Sequence, residues 1–295
     1  MGRGAGRGFL RTKRVFAPGP AGSKSEPHRQ RSGCPTTMII THCASCAAPL
    51  GLALGKKCGR CSTRYCGPAC QEQHWKEGGH DKLCKKIRRG GGAEQYHAEK
   101  QYAEAVAVAA EACADDTKGQ TCFICTEAVH WKTKEGLVRG CACRGTAGFA
   151  HVSCLVEQAK ILLAEAQENN LDFDPRWARW RTCSLCKQDY HSVVKCALGW
   201  ACWKTYVGRP ETNHIRAMSM ALLGNGLEAA NHADALFVKD PELAMMQRLG
   251  APEKHILVTQ NNLANSYQRF GRLDERPTHA TRRIPWNFED LRRGT

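Results

Sequence analysis

The chain has 295 residues, 18 cysteines, 12 histidines and a formal charge of +15, and its length alone points to about two domains. The hydrophobic fraction of 42% counts those cysteines and an alanine-rich run over residues 103–112, so the apolar stock for a core is thin, and aromatics at 7% do not make up the difference. No stretch approaches the roughly 18 uninterrupted apolar residues that a membrane span needs; Lys195 interrupts the best one, residues 193–203, so no membrane span is expected.

Residues 1–38 carry eight Lys/Arg against one acid, Glu26, with Gly and Pro scattered through. That composition reads as a disordered basic tail. It contains no apolar signal core, so the cysteines are expected to be metal ligands and thiols of a reducing compartment, cytoplasmic or nuclear, and not disulfides. An Arg-rich, acid-poor leader is also the composition of a transit peptide, although no amphipathic helix is evident in it. Gly6 stands where a myristoylation signal requires Ser or Thr. Residues 1–90 hold 18 basic and 4 acidic side chains, so nearly all the net charge lies at one end. Without interleaved aromatics or a recognition helix this basic third reads as solvated surface, and nucleic acid is not the expected partner. Lys85-Lys86-Ile87-Arg88-Arg89 is compatible with a nuclear import signal.

Between 43 and 84 the ligand-type residues fall as Cys43-x2-Cys46, Cys58-x2-Cys61, Cys66-x3-Cys70 and His80-x3-Cys84. The x2 pairs suit a tight turn on which two sulfurs converge, and the x3 pairs lie one helical turn apart on one face. Eight such groups make two tetrahedral zinc sites, and so short a segment needs the metal in order to fold. His80 has Cys84 at i+4, whereas His74 has no such partner. These residues, with Tyr65-Cys66-x3-Cys70-Gln71 and Trp75, resemble a MYND-type zinc finger. The resemblance implies interleaved coordination, with Cys43, Cys46, Cys66 and Cys70 on one zinc and Cys58, Cys61, His80 and Cys84 on the other. It also implies binding of a proline-containing peptide or other protein ligand, with Gln71 and Trp75 as contact residues; Trp75 equally suits a core position.

An alanine-rich helical connector follows, and then the ligands Cys122-x2-Cys125, Cys141-x-Cys143, His151-x2-Cys154 and Cys183-x2-Cys186. Eight ligands again close two sites with no open position for water, so the metal is expected to be structural and not a Lewis acid. Between Cys154 and Cys183 the apolar spacing predicts a helix from Val152 to a stop at Asn169-Asn170, then a short helix with Asp174 as cap and Pro175 as first residue, carrying Trp177 and Trp180. The seven-residue gap from Cys143 to His151, together with Cys143-Arg144-Gly145 and His151-Val152-Ser153-Cys154-Leu155, resembles the RING-CH domain of ubiquitin-protein ligases. The same C4HC3 ligand order occurs in PHD fingers, which read histone tails. Those usually carry Trp two residues before the seventh ligand, where this chain has Arg181 with Trp180 one place off.

The RING-CH resemblance implies catalysis without a covalent intermediate: the domain docks a ubiquitin-conjugating enzyme and holds its ubiquitin for attack, a gain of orientation. Ile124 is the implied contact with that enzyme and Lys187 the implied cation linking the two bound proteins; a packed knuckle residue and an ordinary exposed lysine are the plainer readings. The chain departs from the family at Gln158, where Trp is usual, and in the 28 residues between Cys154 and Cys183.

Residues 193–206 are predicted helical, with Val194, Ala197, Leu198, Ala201 and Cys202 along one side and Gly208-x-Pro210 as terminator. Leu223-Gly224-x2-Leu227 and Leu263-Ala264-x2-Tyr267 recur 40 residues apart. The second copy, continuing to Gly271-Arg272-Leu273-Asp274-Glu275, resembles a kinesin-light-chain-type tetratricopeptide repeat, which implies a protein partner at the repeats. Pro241 is expected to interrupt the helix between them unless Asp240 caps a new one, and after Arg276-Pro277 the array reads as unfinished. The expected fold is thus small zinc-stapled α+β modules followed by an α-helical repeat segment. Its parts are a disordered basic tail (1–38), a MYND finger (39–90), a helical connector (91–118), a RING-CH finger with a C-terminal helix (119–208), partial tetratricopeptide-like repeats (212–275) and an irregular tail (276–295). The expected function is a ligase holding four structural Zn2+ ions, with a non-enzymatic zinc-finger adapter, including a PHD-like chromatin reader, as the alternative.

Overall fold

The first strands among the described residues form a two-residue hairpin, β1 (Lys56–Lys57) against β2 (Arg64–Tyr65), antiparallel with Lys56 opposite Tyr65. The structure is a computed structural model that describes Met1 and residues 41–50 and 55–272; the tails expected at 1–38 and 276–295 lie outside the described residues. Helix α1 (Pro68–Lys76) starts on a proline, whose missing N–H costs nothing in a first turn. Helix α2 (His80–Arg89) follows Gly79, whose φ of 70° is the left-handed conformation that glycine adopts without strain. The apolar core of this part is small: Leu50, Tyr65, Ile87 and Ala93 around Cys43, Cys58, Cys61 and Cys84. Four of those eight are ligand-type residues, so the segment has little to hold it together besides metal.

Helix α3 (Ala93–Ala112) lies along α6 (Ser192–Tyr206). Its small face feeds two cores: Ala98 packs with Trp200 and Trp203, while Val106 and Ala109 pack with Ala197, Ala201 and the second cysteine cluster. Polar ties reinforce the contact, with Gln95 Nε2 donating to Lys204 O at 2.9 Å and Lys204 Nζ 3.0 Å from Glu99. The predicted apolar side of α6 is there, but Cys196, Trp200 and Trp203 bury the opposite side as well, so α6 is a central helix.

Helix α4 (Val152–Glu168) follows the predicted spacing, burying Val152, Leu155, Val156, Ala159, Leu163 and Ala166. The short helix after it, α5 (Phe173–Trp177), is capped two residues earlier than predicted. Asp172 Oδ1 accepts from the Asp174 N–H at 3.3 Å, which makes Asp172 the cap and leaves Pro175 within the first turn, where proline is tolerated. A 3-10 turn (Ala178–Trp180) completes the segment and buries Trp180.

Helices α7 (His214–Ala229), α8 (Ala235–Arg248) and α9 (Glu253–Arg269) follow, α8 packing against both others. Asn213 Oδ1 caps α7, accepting from the Ile215 and Arg216 N–H groups. Leu223 and Leu227 of α7 and Leu263 and Tyr267 of α9, the two copies of the 40-residue repeat, are all buried. Helix α8 runs through Pro241 without a break, contrary to the sequence expectation. Burial of Leu236, Val238, Leu243 and Met245 outweighs the missing hydrogen bond, and Asp240, the expected new cap, instead accepts from the Tyr267 hydroxyl at 2.6 Å. The closest helix crossing is α6 on α7. A Cβ on Gly226 would stand 2.8 Å from Lys195 O, and one on Gly199 3.0 Å from Leu222 O, so both glycines are set by backbone proximity.

Candidate metal centres

Four sets of side chains converge: Cys43, Cys46, Cys66 and Cys70; Cys58, Cys61, His80 and Cys84; Cys122, Cys125, His151 and Cys154; and Cys141, Cys143, Cys183 and Cys186. Within each set the ligand atoms all lie within 4.8 Å of one another. All sixteen ligands predicted from spacing are therefore brought together in fours.

In the first finger, the knuckles Cys43-x2-Cys46 and Cys58-x2-Cys61 are tight turns closed by the Ala47 N–H donating to Cys43 O and the Ser62 N–H to Cys58 O, both at 2.9 Å. Helix α1 supplies Cys70, and α2 supplies His80 and Cys84 from one buried face. A tetrahedral zinc with Zn–S of about 2.3 Å and Zn–N of about 2.0–2.1 Å requires edges of about 3.8 Å between sulfurs and about 3.6 Å from sulfur to nitrogen. The observed separations are 3.7 Å for Cys46 to Cys66, 3.9 Å for Cys58 to Cys84, and 3.4 Å for Cys61 to His80 Nε2. His80 is packed among the rings of Tyr65, His74 and Trp75, and its Nδ1 is buried with no hydrogen-bond partner.

The second finger is a cross-brace. Cys122 and Cys125 pair with His151 and Cys154 across the intervening Cys141 and Cys143, which pair forward with Cys183 and Cys186. Val138 and Ala150 exchange backbone hydrogen bonds of 2.8 and 3.1 Å, and the Phe123 N–H donates to Phe149 O at 2.9 Å, which draws the first knuckle to the His151 end of the chain. His151 Nδ1 lies 3.3 Å from Cys125 Sγ and 3.7 Å from Cys154 Sγ, while Nε2–H donates to Ala128 O at 3.4 Å. That outward hydrogen bond fixes which nitrogen faces the metal. Cys143 and Cys183 Sγ are 3.8 Å apart. The Glu135 carboxylate accepts from the Ser153 N–H and hydroxyl at 2.6 and 2.9 Å and so closes the first turn of α4 between two ligands.

Thiol chemistry points the same way. Burial opposes ionisation of Cys43, but backbone N–H groups of Cys46, Cys66 and Ser45 bring it down to about 6. Its set-mate Cys70 is pushed up to about 12 by the side chains of Cys66 and Cys46. Cys186 is lowered to about 7, first by the Gln188 backbone N–H. Burial, with the Cys143 and Cys183 side chains, raises its set-mate Cys141. Sulfurs this close cannot all be thiolates unless a cation sits among them, and soft S/N donors in closed sets of four suit Zn2+. The fit supports four structural zinc ions, each with its four positions filled by protein.

The sites differ in depth. The set of Cys43 has two exposed members, Cys46 and Cys66, whereas all four residues of the His80 set are buried. Of the residues expected to meet partners, Ile124 is 36% exposed on the first knuckle of the second finger and Trp75 is 39% exposed at the edge of α1. Gln71 is half-buried, and Lys187, exposed, donates through Nζ to Ser184 O within its own knuckle. The sequence reading missed Leu185, which occupies in Cys183-Ser-Leu-Cys186 the place Ile124 has in Cys122-Phe-Ile-Cys125 and is exposed like it. Both backbone N–H groups donate to the first cysteine of their knuckle at 3.4 Å. The matching knuckles were the available signal. Trp177 and Trp180 are buried beneath α4 with Tyr206. Among the described residues no helix is long and apolar enough to cross a membrane.

Comparison with known proteins agrees on the first finger. Residues 43–84 match the MYND finger family. No curated protein and no solved structure matches the chain. From Cys43 to Cys84 the chain is thus a MYND finger, and its eight ligands hold two of the four zinc ions.

Proposed function

We propose that the chain is a RING-CH-type ubiquitin-protein ligase whose second finger docks a ubiquitin-conjugating enzyme. The observation that carries this reading is the C4HC3 cross-brace with an apolar residue exposed on each of its two knuckles, Ile124 and Leu185. Exposed apolar side chains held by metal-fixed turns make a rigid contact surface with little ordering left to do on binding. Catalysis would lie in orienting the ubiquitin thioester of the partner, not in a nucleophile of this chain. Trp177 and Trp180 are buried in the core of the second finger, while Gln158 stands where the family carries Trp. The MYND finger, through Gln71 and Trp75, would take a proline-containing peptide, and helices α7–α9, read as partial tetratricopeptide-like repeats, a further protein partner. Thiolate ligation supports a reducing compartment, cytoplasmic or nuclear, as the setting of this activity.

The test is discharge of ubiquitin from charged conjugating enzymes across a broad panel, using zinc-loaded full-length protein. Discharge that Ile124→Ala reduces at least tenfold while zinc content is unchanged supports the ligase. Absence of discharge throughout the panel would leave a zinc-finger adapter.

A further inference from the structure

The four cysteine knuckles close in the same way. In each, the N–H of the fifth residue donates to the carbonyl of the first, the N–H of the first donates to the carbonyl of the sixth, and the fifth residue takes a left-handed φ. The closing bonds run from Ala47 to Cys43, Ser62 to Cys58, Thr126 to Cys122 and Lys187 to Cys183, at 2.9, 2.9, 2.8 and 3.1 Å, with φ of 59°, 62°, 66° and 60°. Residues 130–135 repeat the pattern with no cysteine. The Lys134 N–H donates to His130 O at 2.9 Å, the His130 N–H to Glu135 O at 3.0 Å, and Lys134 has a φ of 61°. His130 stands in the place of the first cysteine and Thr133 in that of the second. The Thr133 N–H donates to His130 Nδ1 at 3.1 Å, with Thr133 Oγ1 2.8 Å from the same nitrogen, so a side-chain hydrogen bond joins the positions that a shared metal joins elsewhere. A left-handed lysine persists only where its surroundings fix it. Here the buried His130 ring packs 5.2 Å from that of His151, and the Glu135 carboxylate is held by Ser153.

What this fifth turn presents is Trp131, 68% exposed, with Val129 exposed beside it and Lys132 and Lys134 on either side of Thr133. In the first finger the residues between knuckle cysteines are Ala44-Ser45 and Gly59-Arg60, whereas the three turns of the second finger expose Ile124, Leu185 and Trp131. The Trp131 turn also rests on the metal set that Ile124 serves: His130 packs on His151, whose Nδ1 lies 3.3 Å from the Sγ of Cys125, the residue after Ile124. A specific interface of ordinary size buries about 800 Å2 on each partner and is anchored by aromatic or Arg side chains. Ile124 and Leu185 are neither, and Trp131 is the aromatic available. Among the described residues Lys132 and Lys134 have no acidic partner, since the Glu135 carboxylate is taken by Ser153. We infer that Trp131, presented by this hydrogen-bonded knuckle, is a third anchor for the ubiquitin-conjugating enzyme, seated in an apolar pocket of that protein whose acidic rim meets Lys132 and Lys134. The inference rests on the ligase reading of the second finger and names the chemistry of the partner surface it selects.

The experiment uses the full-length zinc-loaded protein and a conjugating enzyme that it discharges, with affinity for the uncharged enzyme read by titration calorimetry beside the discharge rate. Trp131→Ala should weaken that affinity about tenfold or more and slow discharge at subsaturating enzyme, while Trp131→Phe keeps most of both. Because Trp131 is exposed and belongs to no ligand set, zinc content and circular dichroism should match wild type. Lys132→Gln/Lys134→Gln should lower the association rate about two- to tenfold at low salt, an effect that fades as salt is raised. Leu257→Ala, at an exposed apolar position on α9, is the control and should change neither readout. Unchanged affinity and discharge in Trp131→Ala, with Ile124→Ala defective, would overturn this assignment and leave the ligase reading standing. Absence of discharge by wild type across the panel would overturn both. Loss of substrate modification, or of binding to anionic vesicles, in Trp131→Ala with enzyme affinity unchanged would give Trp131 to a substrate or a membrane surface and overturn the assignment.

Discussion

Gly226→Ala tests the packing of the helical body at its tightest point. The new Cβ would lie 2.8 Å from Lys195 O and 3.1 Å from Cys196 Cα, both backbone atoms of α6, so no side-chain rotation can relieve it. To reach ordinary contact, α6 and α7 must separate by roughly half an ångström, and gaps of that size forfeit a quarter to a half of each dispersion contact they open. The crossing carries Ala197, Ala201, Trp200, Leu222 and Leu223 from both cores, and overpacking of such a site typically costs about 1–3 kcal/mol. Against this, alanine gains about 0.8–1 kcal/mol of helix propensity over glycine. The balance is destabilisation of about 0–2 kcal/mol, or a fall in Tm of up to roughly 8 °C for a body of this size. Thermal unfolding followed by circular dichroism in excess zinc reads it, with Gly208→Ala, whose Cβ meets nothing within 4 Å, as the control. A Tm for Gly226→Ala above wild type would refute the close approach of α6 and α7.

Zinc should leave in an order set by burial: under a competing chelator the set containing exposed Cys46 and Cys66 empties first and the fully buried His80 set later, which cobalt substitution followed by visible absorption resolves. Glu135→Ala removes the acceptor of both Ser153 hydrogen bonds and should cost about 1–2 kcal/mol at the start of α4, measured by denaturant unfolding at fixed zinc. Glu242, buried on α8, has its carboxyl raised to about 7 by burial, opposed by Lys239. A raised folded-state value means that the stability it contributes is full below about 4.5 and is lost as pH rises through about 7. Glu242→Gln should therefore gain stability relative to wild type between pH 5 and 8, by of order 3 kcal/mol at most. A constant difference across that range would count against the burial.

Ligand positions were legible because metal geometry is local: two residues between cysteines make a knuckle, and three put ligands on one helical face. For Cys43 to Cys84 the pairing into sites came from the MYND resemblance. For the second cluster, spacing left the pairing open, and it is decided by the Val138–Ala150 bridge and the Phe123–Phe149 hydrogen bond, which join residues far apart in sequence. Helix α4 was legible from apolar spacing, whereas the cap at Asp172 was not, since Asp172 and Asp174 both precede Pro175 and only the hydrogen bond tells them apart. Pro241 misled for a related reason. Local propensity says break, and the decision lies with Leu236, Leu243 and Met245, whose partners are on other helices.

The alanine-rich stretch between the fingers shows how much of the molecule depends on such distant contacts. Its composition reads as a spacer, yet Ala98 and Ala109 are small because α6 lies against them, and Tyr102 and Lys204 meet across that contact at 3.8 Å from cation to ring centroid. Helix α3 therefore leaves the MYND finger at Ala93, whose N–H is held by Cys61 O, and enters the core of the second finger at Val106. A flexible linker would let a substrate captured at one finger sample many positions relative to the other, with an effective concentration that falls as the linker lengthens. A helix anchored at both ends removes that freedom. On the ligase reading, substrate choice would then depend on which lysines fall within reach of a fixed conjugating enzyme, a constraint of orientation and not of affinity. Inserting a flexible Gly-Ser segment after Tyr96, between the part of α3 that packs on the first finger and the part that packs on α6, should broaden the set of modified lysines in a mapped ubiquitination assay while leaving discharge from the conjugating enzyme unchanged. An unaltered lysine pattern would show that α3 sets no such geometry.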